Sequence, residues 1–91
     1  MHCPPELLDD VADVVAAVRA WAGVVERNPA VFHVGRQPFL HFHLIEGRRR
    51  RADIKGRAGW TQIELPRPCS AAGRRRLLRE LRARYREKCG G

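Results

Sequence analysis

The chain has 91 residues, enough for one domain that buries only about 60 to 65% of its unfolded surface, so a thick multilayer core is excluded. Its 18 basic against 10 acidic residues leave a formal net charge of +8, which points to a polyanion partner or, more blandly, to a solubilising excess. No apolar stretch approaches the roughly 18 residues that cross a bilayer, and the N-terminus lacks a secretory signal's charged-then-apolar order; no membrane partner and a cytoplasmic location are expected.

In chain order, residues 5–22 carry Leu7, Leu8, Val11, Val14, Val15, Val18 and Trp21 or Ala22 at steps of three and four, the period of a half-buried helix. Pro5 suits its first turn and Gly23 the position after its last. Glu6, Asp9, Asp10 and Asp13 gather toward its N-terminal end, where the helix dipole favours negative charge. The period then changes to two. Strands are predicted at residues 24–27, 31–34, 39–45, 51–55 and 60–65, separated by Asn28-Pro29, Gly35-Arg36-Gln37-Pro38, Gly47 and Gly56-Arg57-Ala58-Gly59. These turn residues favour an antiparallel meander. Pro66 and Pro68 end the sheet, and Ser70 is placed to cap a last helix running to about Lys88, with Leu77, Leu78, Leu81 and Tyr85 as its apolar stripe. The fold class is therefore α+β, a single domain over residues 1–91, with both helices on one face of a five-stranded sheet.

Alternation of strand side chains divides the sheet into two faces. One collects Phe32, Val34, Leu40, Phe42, Leu44, Ala52, Ile54, Ile63 and Leu65, the expected core. The other collects His33, Phe39, His41, His43, Ile45, Asp53, Lys55, Trp60, Gln62 and Glu64, a dense mixture of imidazole, charge and aromatic rings. A three-residue loop at 47–49 would set His43 opposite Asp53 and His41 opposite Lys55, other even registers moving the partners by one step. In that register Asp53 orients His43 or favours its protonated form. His33, His41, His43, Asp53 and Lys55 are thus an open-face candidate site. Any metal would use His41 or His43, with His33 as a third nitrogen, although a polar or partner-facing surface is the simpler reading.

All the basic residues but Lys55 and Lys88 are arginines. Arg48, Arg49, Arg50 and Arg51 are expected at a hairpin tip, where guanidinium groups reach several phosphates at once. Arg74, Arg75, Arg76 and Arg79 form a second cluster on the last helix, and Trp60 and Phe39 offer rings on which bases could stack. Cys3, Cys69 and Cys89 form no CxxC pair and are expected as free thiols; Cys69, just before a helix, is a candidate for a lowered pKa.

The layout Gly23-Val24, Phe32, Phe39-Leu40-His41-Phe42-His43, Gly47, Asp53, Gly59-Trp60 and a closing Arg/Leu helix with Tyr85 resembles the short bacterial domain loosely labelled "luciferase domain", a label that does not imply light emission. Lys55, Trp60 and Tyr85 also resemble the pattern of the MmcQ/YjbR family, whose helix, antiparallel sheet and C-terminal helix are thought to bind DNA through wing-like hairpins. The expectation is a small basic module that engages nucleic acid or another polyanion. A homodimer or protein-interaction module using the open face stands second. A metal-binding or acid/base enzyme at the histidine face stands third, because no nucleophile elbow, phosphate loop or paired carboxylates are present. No cofactor is implied.

Overall fold

Residues 1–90 are described by a computed structural model. The N-terminal helical segment opens as a 3₁₀ helix, Pro5–Val11, and becomes α-helical only in α1, Ala12–Arg19. One continuous α-helix was expected here. Long-range contacts fall on this segment. Two guanidinium groups bind the Leu7 carbonyl, Arg50 Nη1 at 2.8 Å and Arg67 Nη1 at 2.7 Å, so the oxygen that an α-helix would offer to the amide of Val11 is occupied.

Five strands follow: β1 Val24–Asn28, β2 Val31–Val34, β3 Gln37–Ile45, β4 Arg49–Lys55 and β5 Trp60–Leu65. They pair antiparallel in chain order, a meander. Helix α2, Ala71–Cys89, begins at Ser70, whose hydroxyl accepts from the amide of Gly73 at 3.0 Å. Both helices cover the same side of the sheet. Between them and the strands, Val11, Val14, Val18, Leu77 and Leu81 meet Phe32, Leu40, Phe42, Ala52, Ile54 and Leu65 in one buried core. Tyr85 closes its far end, its hydroxyl donating to the Ala22 carbonyl.

The predicted division of faces holds with one exception. Phe39 was assigned to the open face, yet it is wholly buried and meets Tyr85 edge-on at 6.1 Å. Phe32 pairs with Leu40 and His33 with Pro38, leaving Phe39 as the extra residue of a bulge. A bulge breaks strict alternation, so both Phe39 and Leu40 turn toward the helices.

The β3–β4 hairpin differs as well. Its connection is a three-residue turn, Glu46–Arg48, with Gly47 at φ 73° and Arg48 at φ 59°, both left-handed. The register runs Leu40–Ile54, His41–Asp53, Phe42–Ala52 and His43–Arg51, one step from the expected pairing of His43 with Asp53 and His41 with Lys55. The turn begins one residue earlier than the predicted 47–49 loop, and an even shift leaves every side chain on its face. Arg49, Arg50 and Arg51 therefore belong to β4 rather than to the tip.

Candidate polyanion interface and the histidine face

Placing the arginine run on a strand sends its members in opposite directions. Arg50 points inward, and with only 1% of its surface exposed it is among the largest fully buried side chains. Its Nη atoms reach Asp10 Oδ1 and Oδ2 at 2.7 and 2.8 Å, the Leu7 carbonyl at 2.8 Å and the Pro66 carbonyl at 2.7 Å. The Asp10 carboxyl also accepts from the amide of Cys69 at 2.6 Å. This group ties the 3₁₀ segment, β4 and the approach to α2 together, so Arg50 is withdrawn from any partner. Arg51 is held by Asp53 at 2.7 Å, and Arg49 by Glu64 at 3.1 Å and the Glu46 carbonyl at 3.0 Å. Of the run, Arg48 alone has no ion-pair partner among the described residues.

The second cluster divides differently. Arg74 turns to Asp13 at 3.2 Å and to the Cys69 carbonyl at 2.8 Å, which removes it from the predicted surface. Arg84 pairs with Glu80 at 3.4 Å and Glu87 at 2.9 Å, occupying both carboxylates of α2. Arg75, Arg76, Arg79, Arg82 and Arg86 remain, exposed and in no ion pair among the described residues. Steps of four, three and four place Arg75, Arg79, Arg82 and Arg86 in one stripe on the side of α2 opposite the buried Leu77 and Leu81. With Leu78 and Ala83 they line a shallow groove of about 410 Å³. The guanidinium of Arg82 lies 5.3 Å from the centre of the Trp21 ring, which steadies it by cation–π attraction. Arg82 and Arg86 were not among the predicted binding residues, although helical spacing from Arg75 and Arg79 points to them.

Across the sheet lies the histidine face. His41 and His43 are half-buried there, and residues 1–3 bring a further imidazole that the sequence reading missed. Beyond the end of β2 the edge of β3 is open, and the N-terminal segment pairs with it: Cys3 N donates to the Phe42 carbonyl and Leu44 N to the Met1 carbonyl, both at 2.9 Å. His2 thereby lies opposite His43. The ring centres of His2, His41 and His43 are 5.8 to 6.1 Å apart, and Trp60 lies 5.5 Å from His41. Asp53, 8% exposed, has Oδ2 3.3 Å from His43 Nε2. Burial lowers the pKa of His41, and neighbouring His43, His2 and His33 lower it further against the opposing charge of Asp53. Lys55 Nζ sits 5.7 Å from the centre of the Trp60 ring, and His33 Nδ1 is buried without a hydrogen-bond partner. In this conformation no three His, Cys, Asp or Glu side chains among the described residues are arranged to hold a metal ion.

Trp60 and the α2 stripe of Arg75, Arg79, Arg82 and Arg86 thus do not make one surface, although Arg84, on another side of α2, lines a hollow with Trp60. Phe39, buried, offers no stacking platform. Cys69 is also corrected: burial, then the charge of Asp10, raises its thiol pKa rather than the helix end lowering it. Cys3 is raised mainly by burial, while Cys89 is exposed. No helix among the described residues is long and apolar enough to cross a membrane. The chain matches no family model, no curated protein and no solved structure.

Proposed function

We propose that this chain is a small nucleic-acid-binding module that grips the phosphate backbone with the outer stripe of α2. The observation that carries the reading is the row Arg75, Arg79, Arg82 and Arg86, exposed, with no carboxylate partner among the described residues. The eleven steps of helix from Arg75 to Arg86 span about 17 Å at 1.5 Å per residue. A duplex presents one negative charge per about 1.7 Å of axis, so the row runs alongside roughly ten phosphate charges. Guanidinium forks match phosphate geometry, and straight backbone contacts carry no sequence information, which makes the binding sequence-tolerant. A dissociation constant on the order of 10⁻⁴ to 10⁻⁶ M at physiological salt is expected for such contacts.

Anisotropy titrations of a labelled duplex between about 50 and 200 mM salt test this. Four stripe contacts correspond to a slope of about −3.6 in log affinity against log salt, at about 0.9 per phosphate neutralised. The double substitution Arg79→Ala with Arg86→Ala should reduce that slope by about 1.8. No binding at about 50 mM salt, or binding to anionic vesicles but not to duplex, rejects the reading.

A further inference from the structure

We propose that the open face of the sheet is a divalent transition-metal site, in which His2, His41 and His43 supply the ligating imidazoles and Asp53 braces His43. The argument starts from the backbone. His41 and His43 are two residues apart on β3 and so project from the same side. The bonds from Cys3 N to the Phe42 carbonyl and from Leu44 N to the Met1 carbonyl bracket His2 and His43 as a non-hydrogen-bonded pair. In such pairs the Cα atoms approach to about 4.5 Å and the side chains are at their closest.

The three ring centres form a nearly equilateral triangle with sides of 5.8, 5.9 and 6.1 Å. A tetrahedral ion bound at about 2.0 to 2.1 Å to each nitrogen needs ring centres about 5 Å apart. Closing the triangle therefore takes about 1 Å of approach per pair. The rings do not converge on a common point without the ion, and those of His2 and His43 lie nearly parallel at 7°. Rotation about side-chain bonds supplies the approach, since His2 is exposed and the other two are half-exposed, and the backbone need not move.

The donor set selects the ion. Imidazole nitrogens suit Zn²⁺, Ni²⁺ and Cu²⁺, whereas Mg²⁺ and Ca²⁺ require oxygen ligands. The one carboxylate at the cluster is already engaged: Asp53 takes Arg51 at 2.7 Å and stands 3.3 Å from His43 Nε2. Its place is behind the ligand. A proton on Nε2 directed at Asp53 leaves Nδ1 of His43 for the ion, the carboxylate–imidazole–metal arrangement that fixes a ligand's tautomer and orientation. Water completes the coordination from the solvent side.

The test is a calorimetric titration with Zn²⁺ and, separately, Ni²⁺ at neutral pH, using the Cys89→Ser chain so that the exposed thiol does not bind metal. One equivalent should bind saturably, and His2→Ala and His43→Ala should each weaken binding at least tenfold. His2→Ala changes an exposed side chain, and circular dichroism before metal addition checks that its fold matches the parent. Cu²⁺ gives a second readout, quenching tryptophan emission stoichiometrically through Trp60, 5.5 Å from His41, with the quenching lost in Trp60→Phe. Absence of saturable binding, or an affinity unchanged by His2→Ala, overturns the proposal; the latter result would mean that His41 and His43 chelate on their own.

Discussion

Replacing Arg50 by Met tests whether the buried guanidinium organises the fold. The substitution removes both charge-assisted bonds to Asp10, strands the Pro66 carbonyl and leaves the Leu7 carbonyl to Arg67 alone. Breaking a buried ion pair from one side costs about 3 to 5 kcal/mol. Asp10 keeps the amide of Cys69 and has Arg67 at 3.8 Å, and its side chain retains some solvent contact, so about 3 kcal/mol is expected. A domain of this size has a total stability of roughly 5 to 14 kcal/mol, so the loss is a large fraction. Urea unfolding followed by circular dichroism measures it as a midpoint lowered by about 2 to 3 M, for a slope of about 1 to 1.5 kcal/mol/M.

The same pair sets an acid dependence. The bond to Arg50 is the main influence holding the Asp10 carboxyl below its ordinary range, aided by the Cys69 amide and opposed by burial. A depressed carboxylate contributes stability above its unfolded pKa of about 3.9 and loses it as pH falls through the folded value. Wild-type stability should therefore fall below about pH 4 with a step that Arg50→Met largely lacks. A loss under about 1 kcal/mol, or an unchanged acid step, refutes the structural role of Arg50.

Phe39→Ala should cost about 3 to 5 kcal/mol in thermal or urea unfolding, the loss expected for emptying a buried aromatic site; an open-face phenylalanine would cost less than about 0.5. Trp60→Ala should leave duplex affinity and its salt slope unchanged in the anisotropy assay, because the 45% exposed indole lies across the sheet from the α2 stripe.

Architecture was legible in the sequence wherever periodicity alone determined it. Val11, Val14, Val18, Leu77 and Leu81 follow helical spacing, and Leu40, Phe42, Ala52 and Ile54 follow strand alternation; all are buried. What escaped depends on contacts between distant segments. The 3₁₀ conformation of Pro5–Val11 reflects guanidinium groups from residues 50 and 67 on one carbonyl, and no local pattern carries that information. The bulge at Phe39 is set by pairing with β2. His2 joins the other imidazoles only because β3 outruns β2, leaving an edge that residues 1–3 complete.

The same limit governs the charge. Contiguous arginines suggest a basic tip that reaches several phosphates, yet adjacent strand residues diverge: Arg50 enters the core while Arg51 meets Asp53 on the far face. Arginines dispersed along a helix converge instead, because spacings of three and four return to one side. The acidic residues sharpen this contrast. Asp9, Asp10 and Asp13 hold Arg67, Arg50 and Arg74 around the helix ends, Asp53 and Glu64 hold Arg51 and Arg49 on the sheet, and Glu80 and Glu87 hold Arg84. Carboxylates therefore take up arginines both between elements, as at Arg50, Arg67 and Arg74, and within them, as at Arg51 and Arg84, while the outer side of α2 receives none. Arg27, Arg36, Arg48, Arg57 and Arg76 are also exposed without an ion-pair partner among the described residues, as a solubilising excess would have them, so the polyanion reading rests on the alignment of Arg75, Arg79, Arg82 and Arg86 along one side of α2.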